Sequence, residues 1–136
     1  MPNNFPTEGM ELTNILVVTD IERSRKFYTE VLGAEVYREY GGTSCVLKFL
    51  SVWLLLVTGG GPTKDKPTIT FTSPENPDAV SHSMTIRVPD CRKAYETLKE
   101  RGAEFLTPPV DWGAEIRCFF RENIQYDYYN MIVFIK

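Results

Sequence analysis

Side chains that could take part in catalysis are few in this sequence, and they are scattered along it. His82 is the single histidine. The other candidate groups are the thiols of Cys45, Cys91 and Cys118 and the carboxylates of Asp111, Glu115, Glu122 and Asp127. The cysteines lack C-x-x-C spacing, and the carboxylates show no pairing of the kind that general acid–base catalysis uses. We interpret the cysteines as small core residues with free thiols and His82 as a strand-edge histidine, with a general base as the alternative.

Aromatic and arginine side chains make a stronger case for binding. Trp53 alternates with Leu55 along an apolar strand, and Trp112 lies in the proline-rich loop 108–113. Arg117 and Phe119 alternate on one face of a later strand. An apolar wall with a few polar groups is the usual construction of a small-molecule pocket. Each of these rings could equally be a core residue, so the pattern indicates a binding site without proving one.

Composition excludes several other functions. The chain has 136 residues, 43% of them hydrophobic and 24% charged, which is typical of one folded domain and not of a disordered chain. A net charge of −3 makes nucleic acid an unexpected partner. The longest apolar stretch, Val46–Val57, is too short to span a membrane, and the first residues lack the basic and apolar regions of a signal peptide. We expect a cytoplasmic protein.

The elements that must position these residues follow a repeated order. Residues 17–20 match residues 87–90, each taking a strand into a helix capped by aspartate, at Asp20 and Asp90. Residues 33–35 match residues 102–104, where a glycine ends the helix and a strand follows. Each half is therefore predicted to be a strand, a helix and three strands. The predicted strands begin at Glu11, then cover Ala34–Tyr40, Ser44–Leu50, Val52–Thr58, Ser83–Val88, Glu104–Thr107, Ala114–Glu122 and Met131–Lys136.

The predicted fold class is α+β, with two paired βαβββ modules that form a curved mixed sheet around a cleft. The chain divides into a tail (1–10), a first module (11–58), a linker (59–82) and a second module (83–136). Neither module can bury its helix-covered sheet alone, so the two should pair. Alternation along the first strand of each module assigns the cleft face, and the residues placed there are Thr13, Ile15, Val17, Ser83, Thr85 and Arg87.

This arrangement resembles the vicinal oxygen chelate superfamily, which includes glyoxalase I, fosfomycin-resistance transferases, ring-cleaving dioxygenases and bleomycin-resistance binding proteins. Residues 16–33, LVVTDIERSRKFYTEVLG, carry its pattern of an apolar strand, Asp, Arg-Ser, Phe-Tyr and Leu-Gly. The resemblance covers about residues 11–136. It implies the paired-module fold, a homodimer, and ligand clefts at the dimer interface.

In metal-using members of that superfamily, histidine and glutamate side chains from four cleft strands hold a divalent ion. The resemblance places those four positions here at Thr13, Leu55, Ser83 and either Phe134 or Tyr129. None of these side chains is a good ligand for such an ion. We therefore expect no family-type metal site and no cofactor.

The function predicted from these observations is metal-independent binding of a small molecule, such as sequestration of an antibiotic or a metabolite. The candidate ligand-binding residues are Thr13, Trp53, Leu55, Ser83, Thr85, Arg87, Trp112, Arg117, Phe119 and Phe134. The alternative is a lyase, isomerase or dioxygenase whose remodelled site uses His82 with Glu122 or Asp127. A third possibility is a structural dimer whose cleft is filled by Phe134, Leu55 and Trp53.

Overall fold

A computed structural model describes residues 4–73, 75–76, 78–122 and 131–136. Asp127 and Tyr129, which entered the sequence predictions, lie outside the described residues. Among the helices of the described part, none is long and apolar enough to cross a membrane.

The first module forms a four-stranded mixed sheet covered by one helix. Its elements are β1 (Thr13–Val17), α1 (Ile21–Lys26, continued by a π-helical turn over Phe27–Val31), β2 (Glu35–Tyr40), β3 (Ser44–Phe49) and β4 (Val52–Val57). The strand order is β1-β4-β3-β2, with β1 and β4 parallel and the other pairs antiparallel. Helix α1 begins where sequence predicts, because the Asp20 carboxylate accepts a hydrogen bond from the Arg23 backbone N–H at 3.1 Å.

The second module repeats this design. Its elements are β5 (Ser83–Arg87), α2 (Cys91–Glu100), β6 (Glu104–Phe105), β7 (Val110–Asp111), β8 (Ile116–Arg121) and β9 (Met131–Ile135). The strand order is β5-β9-β8-β6, and the short strand β7 also pairs with β8. Asp90 caps α2 through the Lys93 backbone N–H at 3.0 Å. The α+β fold of two βαβββ modules is thus confirmed, while β7 is a strand that the sequence analysis assigned to a loop.

Alternation along β1 and β5 places their side chains as predicted. Leu16 and Ile86 are buried beneath the helices, whereas Thr13, Ser83 and Thr85 are exposed on the opposite face. The buried faces of both modules join in a single apolar cluster. The Arg101 guanidinium also donates a 3.0 Å hydrogen bond to the Val31 carbonyl, which ties the end of α2 to the end of the π-helical turn. The helices and the buried sheet faces therefore hold the two modules together.

The position of Phe134 differs from the prediction. Its side chain is 3% exposed, and its ring centroid lies 4.7 Å from that of Phe120 in the core. In the sheet Phe134 pairs with Ile86 on one side and Cys118 on the other, both of which face the helix. The prediction that Phe134 lines the cleft is therefore wrong. Because successive residues of a strand face opposite sides, an error of one residue in register exchanges the two faces.

The linker between the modules contains an ordered turn. Phe71 and Gly60 each donate a backbone hydrogen bond to the other, and Thr63 and Lys66 do the same. Gly59 adopts a φ of +93°, and a Cβ at this position would lie 2.6 Å from the Phe71 carbonyl oxygen. Only glycine fits this conformation and this close approach.

Gly59→Ala is expected to lower the free energy of unfolding by about 1–3 kcal/mol, because alanine is strained at this φ and its Cβ would displace the Phe71 backbone. Urea denaturation of both proteins measures the difference. Gly61→Ala is the matched control, since a Cβ there meets no atom within 4 Å. Equal stability of the two variants would contradict this account of the linker.

Candidate functional site

The candidate site lies on the face of the second sheet that its helix leaves uncovered, called here the open face of the second sheet. Three rows of side chains cross it, as the strand register shows. The rows are Ser83 with Met131, then Thr85, Val133 and Phe119, and then Arg87, Ile135 and Arg117. Neighbouring rows are about 7 Å apart along a strand. The face thus changes from hydroxyl and apolar groups at one end to two arginines at the other.

A cavity of about 530 Å³ opens at the hydroxyl end of this face. Its apolar lining comes from Val80, Leu106, Phe119 and Met131. Its polar lining comes from Asp78, Ser81, His82 and Ser83. The volume and the mixture of an apolar wall with a few polar groups suit a small organic ligand.

The end of the linker forms one wall of this cavity. Val80, Ser81 and His82 also line a second cavity of about 550 Å³, whose other wall includes Ile15 and Val17 of β1. The last residues of the linker therefore lie between the open faces of the two sheets. His82 is exposed at this junction, where a ligand in either cavity could reach it.

Arg117 is held in place at the arginine end. Its guanidinium carbon lies 4.9 Å from the centroid of the Trp112 ring, and its Nη1 lies 2.7 Å from Glu115 Oε1. The Trp112 backbone N–H donates to the Glu115 carbonyl at 2.8 Å, which closes the hairpin of β7 and β8. A guanidinium has five N–H donors, so donors remain for an anionic group. Trp112 itself is 60% exposed and offers a ring face for stacking.

The open face of the first sheet, defined by Thr13, Ile15, Trp53 and Leu55, is built differently. Thr13 pairs with Trp53, and Ile15 with Leu55, on the side away from α1. The Trp53 ring is covered by the chain itself: the Lys48 ammonium lies 3.8 Å from its centroid, and the Tyr37 ring packs edge-on at 5.0 Å. The Trp53 indole N–H also donates to the Glu11 carboxylate. Trp53 therefore serves to hold its own sheet face together.

The structure thus sorts the ten predicted site residues into three groups. Those on or beside the open face of the second sheet are Ser83, Thr85, Arg87, Trp112, Arg117 and Phe119. Those on the first sheet are Thr13, Trp53 and Leu55, and the remaining residue, Phe134, is in the core. Sequence reasoning missed Val80, Leu106, Met131 and Val133. Strand β9 is apolar at every position, so alternation gave no signal for its two faces.

The metal ion implied by the resemblance does not fit the side chains present. Strand pairing places Leu55 next to Ile15 in the first module and Val133 next to Thr85 in the second. The metal-ligand position on the last strand of each module therefore holds an alkyl side chain. The other two positions hold the hydroxyls of Thr13 and Ser83. Within the described residues, no three His, Cys, Asp or Glu side chains are grouped so that they could hold a metal ion. Alkyl and hydroxyl groups of this kind are poor ligands for a divalent ion.

The structure also separates His82 from Glu122, which the enzyme alternative would join. Glu122 is 4% exposed and follows β8 on the helix-covered side of the sheet. Its charge acts on Tyr28 of the first module, whose pKa is raised strongly above its usual value by burial and then by the Glu122 charge. His82 lies on the exposed side. A buried carboxylate on the helix-covered side is not placed to assist chemistry at the exposed His82.

Comparison with known proteins agrees with the fold described above. Residues 11–124 match the family model of the glyoxalase/bleomycin resistance protein/dioxygenase superfamily. No curated protein matches the chain.

Solved structures give further matches, and three of them, each at low sequence identity, show the likeness. A glyoxalase/bleomycin resistance protein/dioxygenase from Nocardioides is 21% identical with a TM-score of 0.70, covering 97% of this chain and 85% of that one. Lactoylglutathione lyase from Agrobacterium tumefaciens is 13% identical with a TM-score of 0.68, covering 95% and 93%. A fosfomycin resistance protein from Listeria monocytogenes, complexed with Mn(II) and 1S,2S-dihydroxypropylphosphonic acid, is 14% identical with a TM-score of 0.63, covering 94% and 89%. At these identities the likeness concerns the fold alone.

Proposed function

Starting from the fact that the chain belongs to the glyoxalase/bleomycin resistance protein/dioxygenase superfamily, we propose that it is a metal-independent binding protein for a small organic molecule. The observation that carries the proposal is the 530 Å³ cavity on the open face of the second sheet, with its apolar wall and converging polar groups. The side chains at the implied metal-ligand positions Thr13, Leu55 and Ser83 also support it, because they are poor ligands for a divalent ion.

The ligand would lie along the open face of the second sheet. Its apolar body would pack on Phe119, Leu106 and Met131, where removal of apolar surface from water provides most of the affinity. An anionic group would reach Arg117, about 7 Å further along the strand, whose donors are already oriented by Trp112 and Glu115. Sequestration of an antibiotic or a metabolite is the role that such a site, with an apolar wall and no metal ligands at the family positions, would serve.

A homodimer is part of the proposal. Large apolar side chains stand exposed on this chain, among them Leu12 at 72%, Leu50 at 66% and Trp112 at 60%. Contiguous exposed apolar surface is typical of interfaces, and in the proposed dimer these side chains would contribute to one. A second copy that covers it would also close the clefts. A cytoplasmic location is also part of the proposal, because the three cysteines are free thiols rather than structural disulfides.

Metal analysis and a ligand screen on the same untagged preparation test the proposal. We expect less than stoichiometric metal by elemental analysis, and at least one small anionic or aromatic compound that raises Tm equally with and without a chelator. Size-exclusion chromatography with light scattering tests the dimer. One metal ion per chain, or turnover abolished both by chelation and by His82→Ala, would contradict metal-independent binding and support the lyase, isomerase or dioxygenase alternative.

A further inference from the structure

Two of the three thiols lie together in the core of the second module. The sulfur atoms of Cys91 and Cys118 are 3.8 Å apart, and both side chains are 1% exposed. Cys91 is the first residue of α2, and Cys118 lies in β8. A disulfide needs about 2.05 Å between the sulfurs, so closing this gap takes a movement of under about 2 Å. Cys45 is buried in the first module and serves as a comparison within the same chain.

We propose that Cys91 and Cys118 form a redox modification site, at which two-electron oxidation by a peroxide joins α2 to β8 through a disulfide. The proposal goes beyond ligand binding and does not depend on it. The geometry connects it to the candidate site, because Cys118 lies between Arg117 and Phe119 on the same strand. The bond would fix the strand that carries both of these side chains.

The environment of the pair sets how the reaction proceeds. Burial and the hydrogen bond with Cys91 raise the pKa of the Cys118 thiol well above its usual value, which favours its protonated form. Both side chains are 1% exposed, so peroxide reaches them only when the structure opens locally, and the ends of helices open more readily than their centres. Cys91 lies in the first turn of α2 and is the thiol that such an opening exposes.

The chemistry balances with peroxide as the oxidant. The Cys91 thiolate attacks one peroxide oxygen, the O–O bond breaks, and the products are a sulfenic acid and hydroxide, which takes up a proton to become water. The Cys118 sulfur then attacks the Cys91 sulfur as its proton leaves, the S–O bond breaks, and a second water departs. The two thiols have lost two electrons and the peroxide has gained them.

The test treats the full chain with hydrogen peroxide, with and without a urea concentration below the unfolding transition. We expect a mass loss of about 2 Da, two of three thiols blocked, a Cys91–Cys118 peptide in the non-reduced digest, and reversal by dithiothreitol. The cross-link should raise Tm by about 10 °C, since it closes a loop between residues 27 apart. Sub-denaturing urea should speed the reaction, because it increases local opening.

Matched variants make the outcome decisive. Cys45→Ala should still form the cross-link, whereas Cys91→Ala and Cys118→Ala should lose it and show no peroxide-dependent rise in Tm. Persistence of three free thiols in urea would overturn the proposal. A cross-link through Cys45, or oxidation of Cys91 to sulfinic acid with Cys118 still free, would overturn it as well.

Discussion

Phe134→Ala is expected to lower the free energy of unfolding by about 3–5 kcal/mol, the usual cost of removing a buried aromatic ring. The Phe134 ring is 3% exposed and packs against Phe105 and Phe120 in the layer between β8, β9 and α2. Alanine would leave a cavity that this layer can fill only in part. Urea or thermal unfolding of the variant beside the wild type gives the difference directly.

Phe119→Ala is the matched control for stability. Phe119 lies one residue before Phe120 on β8, but its side chain is 37% exposed and points to the opposite face. We expect it to cost under about 1 kcal/mol, since less of its surface is buried. If the two substitutions were equally costly, or if Phe134→Ala were nearly neutral, the register of β9 described here would be wrong.

Ligand binding should depend more on Phe119 than on Phe134, the reverse of their expected effects on stability. For a compound found in the Tm screen, Phe119→Ala is expected to weaken binding by about 10–100-fold, because the ring forms the apolar wall of the cavity. Arg117→Ala should cause a loss of similar size for an anionic compound and little loss for a neutral analogue. Isothermal titration calorimetry on the folded variants measures both effects.

Two further variants define the role of Arg117. Arg117→Lys keeps the charge but loses the planar group over Trp112, so it should recover only part of the affinity. Arg38→Ala removes an arginine that also lies beside aromatic rings, 6.0 Å from Tyr37 and from Tyr40, but on the first sheet. It should leave affinity unchanged. Loss of binding in Arg38→Ala with Arg117→Ala unaffected would place the ligand on the first sheet.

Local signals in the sequence were enough to predict the repeated βαβββ order of helices and strands. Asp20 and Asp90 accept backbone hydrogen bonds at the starts of their helices, as side chains of this type do wherever they occur. Alternation along β1 and β5 assigned their faces, because each strand mixes polar and apolar residues. Residues 16–33 also carried enough of the family pattern to identify the superfamily.

The placement of the residues at the candidate site was predicted only in part. Alternation found Ser83, Thr85, Arg117 and Phe119, since each lies on a strand of mixed polarity. Met131 and Val133 were missed because β9 is apolar at every position, so only its pairing with β5 and β8 reveals its faces. Trp53 is a candidate ligand-binding residue by sequence, but Lys48 of β3 and Tyr37 of β2 already contact its ring.

The sequence by itself determined the βαβββ repeat, the helix starts and the faces of the strands that alternate, because these depend on residues close together in the chain. Only the tertiary structure decided that Phe134 is in the core, that the linker ends beside both cavities, and that Cys91 meets Cys118. Each of those outcomes depends on strand register or on contacts between segments far apart in sequence. A shift of one residue in such a pairing exchanges the core and the open face, and no local pattern fixes it.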